Sequence, residues 1–503
     1  MEAASEATAR PMRILMITSE AVPFAKVGGL ADVVPALAAE LARRGHDVRL
    51  VMPRYPATSR DTAARIPGAL GVPMGMHEYW TELLETHLPS TEPAVKVYFI
   101  EHLQLFATDA IYARPGESHS PDNLLRFGVL TRAAFQLCRK LSWYPEIVHA
   151  HDWPSALAPV YLCTIEDSAP FHRTASVFSI HNLGYQGVFS LDHLRHLPLR
   201  QPEIERSGLE FFGQVNSLKA GILCADTVTT VSPRYAREIQ DETYGFGLDG
   251  VLRERSLDLY GILNGIDYSV WDSENDPFLP AGFSQQDMRG KAECKSALQR
   301  CFGLERRPGA PVVGMIARLV DQKGLAELSA PGWGCLPAVL AELNLQFVVL
   351  GTGDPGHEDR LAELARRYDN FAYERTFDER LAHLIEGGSD LFLMPSRYEP
   401  CGLNQMYSLR YGTLPIATAT GGLLDTIVDA SDPSGDGTGF LIAHCTPGDI
   451  HSAIARAVRL YHEQPEKLQA MRARAMRRRF DWGQSAAEYE QAYLHAVQRR
   501  ISR

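Results

Sequence analysis

The sequence predicts two α/β domains, each built on a doubly wound parallel sheet. Three observations carry that expectation. A chain of 503 residues is too long for one hydrophobic core. Short apolar strands alternate with helical patterns in both halves, as in parallel sheets covered on both faces. The alternation restarts after Asn264-Gly265, where a polar, turn-rich segment, Asp267–Glu293, reads as a connector.

The first strand spans Arg13–Thr18 and leads through the loop Ser19–Gly29 into a helix from about Leu30 to Arg44. Gly45 stops that helix as a C′ residue, and a strand at Asp47–Met52 completes a βαβ unit. Further strands are expected at Val95–Ile100, Glu146–Ala150, Ala175–Ile180 and Thr227–Val231, with helices over Asn123–Leu141 and Phe211–Leu223. In the second half, strand Val312–Ile316 runs into the loop Ala317–Gly324, and Gln346–Leu350 runs into Gly351-Thr-Gly-Asp354. Strand Asp390–Met394 leads to the loop around Glu399, and Leu414–Ala417 leads to Gly421-Gly422 at the start of a helix. A last helix, roughly Trp482–Arg500, follows the basic run Arg472–Arg479 and is expected to cross back to the first domain. The predicted division is a disordered tail over 1–11, domains over 12–264 and 265–480, and a closing helix over 481–503.

Composition excludes several classes. The chain is 45% apolar and 22% charged, ordinary for a globular protein. It has no apolar run long enough to span a membrane, and its first eleven residues lack the apolar core of a secretory signal. A net charge of −11 argues against a nucleic-acid surface, so an anionic substrate must be held by a few local cations. Eight scattered cysteines without a C-x-x-C pair suit reduced thiols and a cytoplasmic location.

The motifs fall at strand ends, where parallel sheets bind ligands. Lys26-Val-Gly-Gly-Leu30 opens the first helix. Its glycines permit close backbone approach to an anion, and Lys26 adds a point charge for a diphosphate. It is neither a dinucleotide fingerprint nor a Walker A loop. The bland reading is a plain strand–helix turn. His149 and His151, two apart on a strand, face one side. No third metal ligand is evident beside them, so a sugar-facing His151 is preferred to a metal site. His181-Asn-Leu-Gly-Tyr-Gln-Gly-Val-Phe189 mixes amides, glycines and aromatics, as an acceptor-sugar loop or an ordinary surface loop would. Arg318 and Lys323 are two cations near one strand end and can clamp a leaving diphosphate, helped by Gly351-Thr-Gly353 after the next strand. Glu399 can grip sugar hydroxyls or support charge at the anomeric carbon; no second catalytic carboxylate is evident to make it a general acid. Cys401 has no histidine partner in view, so a thiolate nucleophile is disfavoured.

Taken together, Lys26-Val-Gly-Gly-Leu30, His151-Asp-Trp153, Leu263-Asn-Gly-Ile-Asp267, Arg318 with Gln322-Lys-Gly324, and Glu399-Pro-Cys-Gly-Leu403 resemble the glycogen and starch synthases, retaining glycosyltransferases. The resemblance runs from about residue 12 to the last helix, with the motifs in the family's order. It implies two Rossmann-like domains facing a central cleft, the GT-B arrangement. It also implies transfer of glucose from ADP-glucose to the non-reducing end of an α-1,4-glucan with retention, with no metal and no cofactor. The partners implied are ADP-glucose and a glycogen or α-1,4-glucan primer. By resemblance, Lys26, Gly28 and Gly29 lie near the donor, and Arg318 and Lys323 neutralise the departing ADP. Glu399, Cys401, Gly402 and Leu403 hold glucose, Thr420, Gly421 and Gly422 cradle phosphate, and Asn264 and Gly353 complete the donor side. His151 contacts the glucose 6-hydroxyl. Asp32, Asp122, Asn123, His181, Asn182 and Tyr185 are the expected sugar or acceptor residues. Lys26, His151, Arg318, Lys323 and Glu399 form the expected catalytic set. Retention is explained by front-face attack, with the departing phosphate accepting the acceptor's proton, which accounts for the missing second carboxylate.

The departures are small. Val27 stands where threonine is common, and Pro154 where histidine is common. Tyr407 replaces the second glutamate of the wider E-x7-E transferases. Length and the absence of a transit peptide favour the bacterial branch. The alternatives are a related transferase using UDP-glucose or another acceptor, and a catalytically silent glucan-binding protein. A phosphorylase reading fits the motifs poorly.

Overall fold

The structure, a computed structural model, describes residues 10–89, 91–108, 110–112 and 122–502. Residues 1–9 of the expected tail lie outside the described residues. The chain packs as two units, Met1–Gly265 with Trp482–Arg503, and Ile266–Asp481.

The first unit holds β1 (Arg13–Ile17), β2 (Asp47–Pro53), β3 (Ala64–Met74), β4 (His77–His87), β5 (Lys96–Glu101), β6 (Ile147–His151), β7 (Ala175–Ile180), β8 (Val188–Ser190), β9 (Glu210–Phe211), β10 (Gln214–Asn216), β11 (Thr227–Thr230) and β12 (Leu259–Gly261). Its main sheet has the order β12-β11-β7-β6-β1-β2-β5-β4-β3, and β8-β10-β9 form a small second sheet. β6, β7 and β11 are buried along their whole length, and the polar side chains they carry, among them His149, Ser179 and Thr229, bond one another inside: His149 reaches Ser179 Oγ at 2.6 Å, and Ser179 Oγ reaches Thr229 Oγ1 at 2.5 Å. Helix Leu30–Arg43 buries Leu30, Val33, Val34, Leu37 and Leu41 at helical spacing. It closes as predicted at Gly45, at φ 101°, whose N–H reaches Ala42 O while His46 N–H reaches Leu41 O. That pair of bonds is a Schellman cap.

Two expectations are corrected here, and one hairpin is added. Segment Phe211–Leu223 is not one helix: Phe212 and Gly213, at φ 50° and 77°, turn β9 into β10, and only Ser217–Cys224 is helical. The Asn216 side chain caps that helix by accepting from Lys219 N–H at 2.9 Å. The edge hairpin β3–β4 had no counterpart in the sequence reading, because prolines and glycines in Ala64–Met74 demote it as a strand. At an edge they are tolerated, and β4 pairs antiparallel with both β3 and β5. The connector Asp267–Glu293 ends early, since helix Arg289–Cys301 begins inside it.

The second unit holds β13 (Val312–Ile316), β14 (Gln346–Leu350), β15 (Phe371–Glu374), β16 (Leu391–Met394), β17 (Leu414–Thr418) and β18 (Phe440–Ile442). All pair in parallel, in the order β15-β14-β13-β16-β17-β18. The basic run Arg472–Arg479 is mostly the end of helix Pro465–Arg477, where buried Arg472 donates to Asp390 Oδ1 at 2.6 Å. Helix Trp482–Ser502 belongs to the first unit and buries Tyr489, Ala492, Tyr493 and Ala496 in its core. Glu490 on that helix accepts from Arg44 Nε and Nη2, each at 2.8 Å, and lies 3.0 Å from His46 Nε2.

Candidate functional site

In each unit most candidate residues follow strands beside the point where the strand order reverses; Asn264 instead follows β12 at the sheet edge. Among the parallel strands, chain order runs outward in both directions from β1/β6 in the first sheet, as far as β5 on one side where the edge hairpin folds back, and from β13/β16 in the second. Loops leaving the carboxyl ends of such strands splay apart and leave a crevice for a ligand.

In the second unit, four neighbouring strand ends contribute loops. Leu319 N–H bonds Thr352 O at 2.9 Å, tying the loop after β13 to the loop after β14. Arg397 N–H bonds Gln322 O at 2.8 Å, and Gly422 N–H bonds Glu399 O at 3.2 Å, tying in the loops after β16 and β17. Lys323 Nζ and Glu399 Oε2 form an ion pair at 2.5 Å, and Ser396 Oγ donates to the same oxygen at 2.8 Å. Glu399 is buried, at 6% exposure, so this pair is shielded from solvent. Arg318 is exposed and makes no ion pair among the described residues. Gly353 N–H is taken by Glu358 Oε1 at 2.8 Å. Cys401 and Thr420 are buried, Gly402 sits at φ 73°, and Leu403 precedes helix Asn404–Arg410. Gly421, at φ 44°, lies so close to the Glu399 carbonyl that a Cβ there would meet its oxygen at 1.9 Å. A glycine is required there. Tyr407, in place of the wider families' glutamate, stacks on Trp271 with ring centroids 3.8 Å apart.

In the first unit, Lys26 Nζ pairs with Asp32 Oδ1 at 2.7 Å. The loop carrying Lys26 is shaped by buried Glu20, whose carboxylate accepts from Val27 N–H at 2.5 Å, Gly28 N–H at 3.1 Å and Tyr112 OH at 2.6 Å. Gly29 starts helix Leu30–Arg43. His151 ends β6, fully buried, with Nδ1 3.1 Å from His181 Nε2. Its Nε2 has no protein partner among the described residues. Burial and the neighbouring histidines drive the His151 pKa well down, so the ring is neutral at pH 7. Burial also lowers His181 to about 3, and His149, next to His181, to about 3. His149 bonds Tyr493 OH at 2.9 Å and Ser179 Oγ at 2.6 Å. Asp152 follows in the left-handed region, at φ 57°. Its Oδ1 accepts from His181 N–H at 2.7 Å and Asn182 N–H at 3.3 Å, and burial pushes its pKa up to about 7 against those bonds.

The remaining candidates divide. Tyr185 and Asp122 are exposed, and Asn182 Oδ1 accepts from Gly184 N–H at 3.0 Å. Asn264 is buried with Oδ1 unpartnered among the described residues. Asn123 is different: it is fully buried, donates to Tyr112 O at 2.6 Å and accepts from Arg126 at 2.5 Å. Its polar atoms serve the fold, which leaves Asp122 as the exposed member of that motif. Glu20, Asp152 and Ser396 escaped the sequence reading as site residues. Their signal was weak: each is a small acid or hydroxyl within a few positions of a strand end. Among the described residues no group of His, Cys, Asp and Glu is arranged to hold a metal ion.

Comparison with known proteins adds relatives over the whole chain. A family model described as the starch synthase catalytic domain matches residues 13–254, and one described as glycosyl transferases group 1 matches residues 302–478. The glycogen synthase of Treponema denticola is 46% identical, covering 98% of this chain and 100% of that protein. Glycogen synthase 1 of Geobacter metallireducens is 42% identical, covering 98% of this chain and 97% of that protein. Among solved structures, the catalytic domain of starch synthase IV from Arabidopsis thaliana, bound to ADP and acarbose, superposes with a TM-score of 0.88. It is 32% identical, with 97% of this chain and 100% of that one covered. A sucrose-phosphate synthase from Thermosynechococcus elongatus, 18% identical with a TM-score of 0.59, shares the fold.

Proposed function

The chain belongs to the glycogen and starch synthase family of glycosyltransferases, and on that premise we propose that it moves glucose from ADP-glucose to the non-reducing end of an α-1,4-glucan, with retention. The observation that carries the reading is the Lys323–Glu399 pair at the switch point of the second sheet, with Arg318 exposed in the same loop after β13 as Lys323. Breaking a glycosyl–diphosphate bond builds positive charge on the sugar and negative charge on the leaving group. Arg318 is exposed. Lys323 spends one of its three N–H donors on Glu399. Both can meet the departing diphosphate, which is the part a metal would otherwise play. Glu399, fixed by Lys323 and Ser396, has its second oxygen left to accept from a glucose hydroxyl. Thr420 to Gly422 and the backbone of Cys401 to Leu403 complete the donor side.

The first unit holds its own polar candidates, a neutral histidine and a tethered lysine among them. A neutral His151 can hydrogen-bond a sugar hydroxyl through Nε2 without adding a cation near a carbon that is itself becoming positive. Lys26, tethered by Asp32, supplies a positive charge for phosphate. Tyr185, Asp122 and Asn182 are the candidate acceptor contacts. The leaving phosphate takes the acceptor's proton. The chemistry proceeds without metal or cofactor, in the cytoplasm; no helix among the described residues is long and apolar enough to cross a membrane.

Incorporation of radiolabelled glucose into glycogen, from ADP-glucose and UDP-glucose in parallel, tests the reading. A strong preference for ADP-glucose supports it. A preference for UDP-glucose overturns the donor, and no transfer from either would leave a glucan-binding role.

A further inference from the structure

We propose that Cys163 and Cys224 form a reversible dithiol–disulfide site, oxidised by exchange with a small anionic disulfide of the glutathione class. Cys163 ends helix Leu157–Cys163, and Cys224 ends helix Ser217–Cys224. The helices lie against one another, and the two sulfurs are 2.7 Å apart, with the Cys163 S–H donating to Cys224. A disulfide needs about 2.05 Å, so closing the bond takes a shift of well under 1 Å. The eight cysteines form no disulfide in the structure.

The site is reachable. Both sulfur-bearing residues line a cavity of about 400 Å³, together with Asp167, His172, Arg206 and Arg500. Arg500 is anchored to Asp167 at 2.8 Å and to the His172 carbonyl at 3.1 Å. Arg206 lies 3.5 Å from Asp167 and is more than half exposed. Two guanidiniums against one carboxylate leave the cavity net positive. That attracts a disulfide carrying carboxylates to the sulfurs. Cys163 is the more exposed of the pair and reacts first.

The step balances. The Cys163 thiolate attacks one sulfur of R–S–S–R, forming a mixed disulfide and releasing RS⁻. Cys224 then loses its proton and displaces the second RS⁻, closing Cys163–Cys224. Two protein thiols are oxidised, and one R–S–S–R is reduced to two RSH. The bond clips the far end of a helix that supports the loop after β7: Ser217 N–H holds Gly187 O at 3.1 Å and Leu218 N–H holds Gln186 O at 3.0 Å.

The test is to incubate the full-length protein with oxidised glutathione, alkylate, digest without reduction and map the cysteine peptides. A Cys163–Cys224 linked peptide is expected, lost in Cys163→Ser and Cys224→Ser, with Cys224→Ser instead accumulating glutathione on Cys163. Closing a span of 61 residues should raise the melting temperature by roughly 3–7 °C, reversibly with dithiothreitol. Full alkylation of both residues while exposed Cys301 alone takes up glutathione would overturn the proposal, as would linkage of either to a different cysteine.

Discussion

Replacing Gly421 with alanine should disable transfer while leaving most of the protein folded. The added Cβ would sit 1.9 Å from the Glu399 carbonyl oxygen and 2.9 Å from its carbon, both backbone atoms that cannot rotate away. Restoring ordinary contact requires the Glu399 segment or the Gly421 turn to retreat by about 1 Å in a close-packed region. Gly421 also holds φ 44°, which costs a residue with a Cβ roughly 1–2 kcal/mol. A misplacement of about 1 Å at a reacting site costs on the order of 100-fold in rate, or about 2.7 kcal/mol of barrier. Initial rates of glucosyl transfer for Gly421→Ala should therefore fall on the order of 100-fold. Gly448→Ala is the control: its added Cβ meets nothing within 4 Å, and its rate should match the parent. Melting curves for both variants separate a local shift from unfolding. Gly421→Ala with a rate within about threefold of the parent would refute the claim that this turn positions Glu399.

Other predictions follow from the same geometry. Lys323→Ala leaves Glu399 buried without its ion-pair partner, and kcat should fall about 10²–10³-fold with little change in KM for the glucan; a purely donor-KM effect would contradict the leaving-group role. The folded pKa values of His149 and His181, about 3, lie below their ordinary 6.5, so the unfolded chain binds the extra protons between those values and stability rises with pH across about 3 to 6.5. Each contributes roughly 1.4 kcal/mol per pH unit there, and Asp152, raised to about 7, opposes with one proton between 3.8 and 7. His149→Gln should flatten the rise between pH 5 and 6.5, and an unchanged slope would be contrary. Glu386 runs the other way. Burial holds its pKa at about 8, so the native state keeps a proton that the unfolded chain has lost, and stability falls as pH rises from 4.5 to 8. Glu386→Gln, compared with the parent by urea denaturation at pH 6 and pH 8, should gain relative stability at the higher pH.

The parts of the fold legible in the sequence share one physical cause. Central parallel strands such as Ile147–His151 and Ala175–Ile180 are buried on both faces, so small, apolar and β-branched residues dominate them and their few polar side chains are satisfied internally. The edge hairpin Ala64–Met74 and His77–His87 is half solvated and carries prolines and glycines, so its pattern is broken. The Phe211–Leu223 segment misled because two aromatic residues at a tight turn look like a helix face. In the site, Lys26, His151, Arg318, Lys323 and Glu399 could be singled out because each follows a strand, where parallel sheets expose ligand-binding loops. The contact between His151 and His181 joins residues 30 apart at the ends of adjacent strands, and only strand order reveals it. The left-handed Asp152 and the three donors gathered by Glu20 are likewise tertiary facts, as is the inward turn of Asn123.

On the proposed function, Arg318 and Lys323 carry the leaving diphosphate in place of a metal ion. The decisive experiment is the initial rate of glucose transfer from ADP-glucose to glycogen by protein stripped with EDTA and assayed in its presence. The expected rate is the same as in magnesium-containing buffer, collapsing only when Arg318 or Lys323 is replaced. A rate that vanishes in EDTA and returns with a divalent cation would contradict it.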